Sequence, residues 1–208
     1  MKRLIIICEG ETEQEFCKDV LRPYLYNKGV RVDNPTIKKS NGGIVRWEVL
    51  KDQVERHLKQ EKDVYVTTLI DLYALPTDYP NFDINNVAGI EQGMKADIDA
   101  SLNYRFIPYI QRHEFECFIF GSIDVLKKNF RPQDANFDEI ENVLRKYSDC
   151  LEDINNGSQT APSKRLLANI NGYNKIVYGA CLASEIGLPT IRQKCPRFNR
   201  WIEQLEKI

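Results

Sequence analysis

The sequence predicts an α/β fold: a parallel sheet flanked by helices, with a helical C-terminal extension. Three apolar, strand-like runs, at 4–8, 64–70 and 106–110, are separated by stretches of helical periodicity. Strands that alternate with helices pair in parallel under a cover of helices. From residue 116 onward the pattern is almost wholly helical. The chain of 208 residues is long enough for one sizeable domain with an appended part. The division expected is an α/β core over 1–125 and a helical extension over 126–208, packed on the same domain.

The elements follow in order. Residues 4–8, LIIIC, form a continuous apolar run, the mark of a strand buried on both faces. Thr12 then reads as a helix N-cap, with Glu15 three residues later completing a capping box. Phe16, Val20, Leu21 and Tyr24 continue at helical spacing. A short strand is expected near 36–38, a break at Asn41-Gly42-Gly43, and a helix over 44–61 with Val45, Leu50, Val54 and Leu58 facing the core. The β-branched run 64–70 is the second central strand and ends in Asp71. Turn residues Pro76, Pro80, Asn81, Asn85 and Asn86 mark 72–86 as a long loop. A helix is expected over 90–102, a third strand over 106–110, and then helices over 116–129, 137–153, 164–170, 175–185 and 198–207. A polar loop covers 155–163.

Composition excludes several classes. A net charge of −1 gives no global electrostatic footprint for nucleic acid, so such a partner must meet a local basic patch. The six cysteines contain no CxxC pair, which argues against a structural zinc site. The five apolar residues after Met1-Lys2-Arg3 are too few for a signal peptide, and no run reaches membrane-spanning length. A cytoplasmic protein with reduced, mostly buried thiols is expected. There is no Walker motif, so any ATP-driven work needs another chain.

Ligands of open α/β sheets sit outside the carboxyl ends of the strands. Acids fall at that edge three times: Glu9 after the first strand, Asp71 after the second, Glu114 and Glu116 after the third. Clustered carboxylates repel and favour protonation unless a cation is present. Hard oxygen ligands suit Mg²⁺ or Mn²⁺, and such ions serve phosphoryl transfer. Glu13, on the first helical turn, is placed to approach the same ion as Glu9. Glu11, Glu13 and Glu15 equally suit a helix N-terminus, where acids favour the macrodipole. A strand tip gains nothing from that dipole, so Glu9 points to function. Asp71 ends an uncharged run and reads as a site residue, or as a turn former. Asp78 is either a further ligand or a solvated loop acid.

His113 reads as a metal ligand or general acid, or as a structural histidine at the strand end. Glu114 and Glu116 share a face on a strand and diverge on a helix. Ser163 reads as an N-cap that puts Lys164 and Arg165 on a first helical turn. Cations there oppose the macrodipole, which hints at an anionic partner such as a phosphate backbone. Arg192, Lys194, Arg197 and Arg200, with Phe198 and Trp201 interleaved, form a second basic stretch. The alternative for both is an ordinary solvated face.

Glu9-Gly10-Glu11-Thr12-Glu13 after an apolar strand, with Asp71 after a later one, resembles a Toprim domain, the fold of topoisomerases, primases and OLD-type nucleases. More closely, CEGETEQEF, IDLYALPTDYP, PYIQRHEFECFIF, APSKRL and GLPTIRQKCPRFNRWI resemble a bacterial family, domain of unknown function 4276. The resemblance runs over nearly the whole chain. It implies a Toprim-like fold and a metal-dependent nuclease, acting in phage defence beside an ATPase. It implies that Glu9 is a metal ligand and general acid/base, that Glu13 is the second glutamate of OLD-type nucleases, and that Asp71 is the first Asp of the Toprim Asp-x-Asp. Lys164 matches a basic residue that steadies the scissile phosphate. The sequence departs at Tyr73, which stands where the second Asp is expected, with Asp78, Glu114 or Glu116 as replacements. The function expected is a Mg²⁺- or Mn²⁺-dependent phosphodiesterase of DNA or RNA. Glu9 and Lys164 are its catalytic groups, and Lys164, Arg165 and Arg197 its nucleic-acid contacts. The alternatives are a non-catalytic subunit that docks on an ATPase and a small-molecule phosphohydrolase.

Overall fold

A computed structural model describes residues 1–38, 43–73, 75–155 and 157–208. The break expected at Asn41-Gly42-Gly43 lies mostly outside the described residues, as does Asn156 of the loop at 155–163. The chain forms two compact units, Met1–Gln111 with Gln204–Ile208, and Arg112–Glu203.

The first unit is built on a five-stranded, all-parallel sheet: β1 (Lys2–Cys8), β2 (Val30–Asp33), β3 (Val64–Asp71), β4 (Phe106–Ile107) and β5 (Ile110–Gln111). The strand order is β2-β1-β3-β4, with β5 continuing the pairing on β3. β1 and β3 are the apolar runs expected, and they pair from Arg3↔Val64 to Cys8↔Leu69. On one face Ile5 and Ile7 of β1 join Val64, Val66 and Ile70 of β3. They pack with Leu50, Val54 and Leu58 of α3 (Trp47–Gln60) and with Ile90 and Met94 of α4 (Val87–Asp97). Leu4 and Ile6 alternate to the opposite face and are as fully buried. Each such side chain contributes about 1.5–3 kcal/mol on burial.

The first helix departs from expectation at its start. α1 (Glu11–Phe16) is capped at Gly10, whose extended backbone (φ −146°) precedes the first turn. Thr12 lies inside the helix. Glycine has no side chain to complete a capping box, so only the reciprocal half exists: Glu13 Oε2 accepts the Gly10 N–H at 3.0 Å. A π-helical turn, Cys17–Leu21, connects α1 to α2 (Arg22–Tyr26). The strand expected at 36–38 is reduced to a bridge between Cys8 and Thr36. The true neighbour of β1 is β2, which the sequence reading did not anticipate.

α3 begins at Trp47 rather than 44, because Arg46 is extended (ψ 150°) and Asp78 Oδ2 accepts the Trp47 N–H at 3.2 Å. Its far end is finished by the buried Arg105, which donates to the carbonyls of Leu58, Glu61 and Val64. α4 starts earlier than expected, where Asn86 Oδ1 accepts the Gly89 N–H at 3.0 Å, and ends at Asp97 rather than 102. The third strand is split into β4 and β5 because Pro108 has no N–H to give the ladder. Thr68 Oγ1 fills that gap: it accepts the Tyr109 N–H at 2.9 Å and donates to the Tyr109 carbonyl at 2.8 Å.

The second unit is helical: α5 (Ile123–Asn129), α6 (Phe137–Lys146), α7 (Pro162–Asn169), α8 (Lys175–Ile186), α9 (Leu188–Lys194), and most of α10 (Pro196–Leu205). The helix expected over 116–129 is instead a 3₁₀ segment, Phe115–Gly121, and α5, separated by Ser122, whose hydroxyl accepts the Val125 N–H. The 137–153 helix stops at Lys146, with a 3₁₀ turn at Leu151–Asp153. α9 was not anticipated, and Gly187 (φ +84°) makes the left-handed joint between α8 and α9. Phe115, Phe118, Phe198 and Trp201 form an aromatic core, with Phe118 and Phe198 ring centroids 4.8 Å apart. Four of the six thiols are buried, and all are free.

Candidate functional site

In the first unit the parallel pairing of β1 and β3 continues one residue past the strand, where the Glu9 N–H donates to the Leu69 carbonyl at 3.0 Å. That register brings the Glu9 side chain level with Asp71. Glu9 Oε2 accepts the Asp71 backbone N–H at 2.9 Å. Asp71 is only 5% exposed, and Glu9 is half-buried. The Glu9 carboxylate is therefore tied to the Asp71 backbone at the carboxyl edge of the sheet.

Glu13, buried on the first turn of α1, spends Oε2 on Gly10 N. Asp78 caps α3 through Trp47 N and lies 3.5 Å from the Arg46 guanidinium. Tyr79 was not singled out in the sequence. It is buried, donates its hydroxyl to the Val45 carbonyl at 3.1 Å, and stacks at a tilt on Trp47. Its hydroxyl is pushed far above the usual tyrosine range by burial and then by the nearby charges of Asp78 and Glu9.

The donor set at the strand tips is carboxylate oxygen, which fits a hard cation. Mg²⁺ keeps several waters and is commonly held by one or two carboxylates together with substrate phosphate. Glu9 and Asp71 are carboxylates of that type. Among the described residues no group of three or more His, Cys, Asp or Glu is placed to hold an ion unaided.

The other expected residues lie in the second unit. His113 adopts a left-handed backbone (φ 66°), rare for a residue with a side chain. Its Nδ1 is buried without a hydrogen-bond partner. Its pKa is lowered to about 4 by burial first and by Arg112 second. Glu114 accepts from Ser163 twice, from the backbone N–H at 2.8 Å and from Oγ at 2.9 Å. Ser163 is thus not the N-cap of α7, a place held by Ala161, with Pro162 as the first helical residue. The anion at that helix start is Glu114, which offsets the dipole conflict expected of Lys164 and Arg165. Lys164 is exposed, and Arg165 Nε donates to the Thr160 carbonyl at 2.7 Å.

Glu116 is fully buried, with Lys175 Nζ 3.2 Å from Oε1 and 3.3 Å from Oε2. Burial raises its pKa, against the lowering pull of Lys175. The Tyr173 hydroxyl is buried beside this pair without a hydrogen-bond partner and is raised by burial and by Glu116. Neither Tyr173 nor Lys175 was singled out in the sequence, because nothing local marks a partner some sixty residues away. Arg197 gives its backbone N–H to Glu152 Oε2 at 2.7 Å, and Glu152 also accepts the Phe198 N–H at 3.1 Å. Glu152 is therefore the buried acid that caps α10, another role the sequence did not signal.

A parallel α/β core with an acid at each of two adjacent strand tips, Glu9 and Asp71, defines a class of protein that presents acids at the carboxyl edge of its sheet. Residues 8–206 match the family model described as "Domain of unknown function (DUF4276)", and the chain belongs to that family. No curated protein and no solved structure matches the chain. Among the described residues, no helix is long and apolar enough to cross a membrane.

Proposed function

We propose that the chain is a divalent-metal-dependent phosphodiesterase of Toprim type that cleaves nucleic acid. The observation that supports this most is the 2.9 Å bond between Glu9 Oε2 and the Asp71 N–H. It ties the Glu9 carboxylate to the backbone of Asp71 at the sheet edge where α/β ligands bind. A Mg²⁺ or Mn²⁺ ion bound there would supply electrostatic stabilisation for charge that develops on a phosphate. In this reading Glu9 and Asp71 hold the ion, with Glu13 and Asp78 as nearby acids already engaged in capping. Glu9 also takes the proton from the attacking water. Its anchor on the Asp71 N–H holds the carboxylate in one orientation. Lys164, Arg165 and Arg197 enter the proposal as contacts to the phosphate backbone. The reading extends to a cytoplasmic role in phage defence with an ATPase partner, and these 208 residues hold no Walker motif of their own.

The test is cleavage of end-labelled DNA and RNA oligonucleotides with Mg²⁺ or Mn²⁺, by wild type, Glu9→Gln and Asp71→Asn. Metal-dependent cleavage lost by at least about 100-fold in both variants supports the reading. Cleavage unchanged by either substitution refutes it. The second reading, a non-catalytic subunit that docks on an ATPase, is favoured by Tyr73, which replaces the expected second acid. Such a subunit has no need of the metal, so metal binding separates the two.

A further inference from the structure

Within the phosphodiesterase reading, on whose strand-tip metal site this inference rests, we propose that Gln111 is a positioning residue whose amide NH₂ holds the Asp71 carboxylate in place for the ion. The third strand supplies the geometry. β5 pairs with β3 in parallel, and the register sets Asp71 opposite Gln111. In-register residues of neighbouring parallel strands share a face, across a spacing of about 4.8 Å. Gln111 is therefore the neighbour of Asp71 on its own side of the sheet, at the same carboxyl edge. The Leu72 N–H donates to the Gln111 carbonyl at 2.9 Å and carries that register one residue further.

Gln111 is 0% exposed and Asp71 5%. An amide so far removed from water must give its donors and its acceptor to neighbouring groups. Its Oε1 accepts the Tyr109 hydroxyl at 2.6 Å. Tyr109 is itself buried, and its N–H and its carbonyl both bond Thr68 Oγ1, at 2.9 and 2.8 Å. This chain of bonds sets the amide oxygen toward Tyr109, so the NH₂ group lies on the other side of the amide. The acceptor that β3 brings level with it is Asp71.

Packing alone does not call for this arrangement. A buried polar pair adds little stability over apolar side chains of similar shape, such as Tyr109→Phe with Gln111→Met would supply. A carboxylate that must present an oxygen to a cation gains more from it. A neutral donor fixes the orientation of such a ligand without adding a competing charge.

The experiment is titration of Mn²⁺ into wild type, Gln111→Met, Tyr109→Phe, Asp71→Asn and the double variant Gln111→Met/Asp71→Asn. Urea unfolding of each shows that it folds, and the EPR line shape of the bound ion reports its ligand field. Gln111→Met is expected to weaken Mn²⁺ by about 10-fold or more and to change the line shape. Tyr109→Phe leaves the amide free to turn and is expected to lose about threefold. In the Asp71→Asn background, Gln111→Met should add less than about twofold, because it acts through that carboxylate. Folded Gln111→Met with the affinity and line shape of wild type overturns the inference, as does a full loss added on top of Asp71→Asn. If Gln111→Met does not fold, Tyr109→Phe decides, and unchanged affinity there overturns the inference. Wild type that binds no Mn²⁺ overturns the inference together with the metal site. Mn²⁺ binding and cleavage that ignore Gln111 overturn this inference and leave the phosphodiesterase reading standing. Gln111-dependent Mn²⁺ binding without any cleavage of oligonucleotides does the reverse.

Discussion

Replacing Lys175 by Met isolates the most demanding electrostatic arrangement in the second unit. Glu116 is 0% exposed, and its two oxygens lie 3.2 and 3.3 Å from the Lys175 ammonium. Methionine keeps much of the stem and removes the charge. Breaking a buried pair by deleting one partner costs roughly 3–5 kcal/mol. The Lys175 side chain is 41% exposed, so solvent already screens part of the attraction. About 2 kcal/mol at pH 7.5 is the expected loss. Burial holds the folded pKa of Glu116 above its unfolded value. Its contribution to stability is therefore fully present below the unfolded pKa and is lost as pH rises through the folded pKa. Lys175 lowers that folded pKa, so its removal raises it further. Protonation then relieves the variant as pH falls, and the loss at pH 5 should be about half that at pH 7.5 or less. Urea unfolding at the two pH values measures both numbers. Adding Glu116→Gln to Lys175→Met should recover most of the loss. An equal loss at both pH values, or a double variant no more stable than the single one, would refute the reasoning.

Three further outcomes are expected. Asp78→Ala should destabilise by about 1 kcal/mol through the lost cap on α3, and Asp78→Asn by less, since asparagine also caps; equal losses in urea titrations would deny Asp78 that role. Gly93→Ala should lose about 1–3 kcal/mol despite alanine's better helix propensity, because the added Cβ falls 2.7 Å from the Pro80 carbonyl oxygen; a raised melting temperature would contradict this. His113, held at about 4 against an ordinary value of 6.5, contributes stability that is present above pH 6.5 and lost as pH falls toward 4. Half-burial limits that contribution to about 1–2 kcal/mol. His113→Asn, which tolerates the left-handed backbone, should flatten the slope of stability across that window, and an unchanged slope would assign it to other groups.

The sequence made the centre of the sheet legible and its edges obscure. β1 and β3 are buried on both faces and read as unbroken apolar runs. β2, with Arg31 and Asp33 alternating with Val30 and Val32, is half-buried and four residues long. That alternation is too short to separate a strand from a loop. Pro108 within 106–110 was the signal for two short strands rather than one. The strand-tip positions of Glu9 and Asp71 were legible because each acid ends an apolar run. The roles of Asp78, Glu114 and Glu152 were not. Each caps a helix from 31, 49 or 45 residues away. Chain folding alone brings such partners together, so no local pattern reports them. Glu13 lay between these cases: its spacing from Gly10 fits a capping role that the sequence reading had assigned to Thr12 and Glu15.

The strand-tip metal site is tested most directly by isothermal titration of Mn²⁺ into wild type, Glu9→Gln and Asp71→Asn. One saturable binding event in wild type, weakened by about 10-fold or more in both variants, is the expected result. Wild type without saturable heat, or variants that bind as tightly as wild type, would contradict a metal centre built on Glu9 and Asp71.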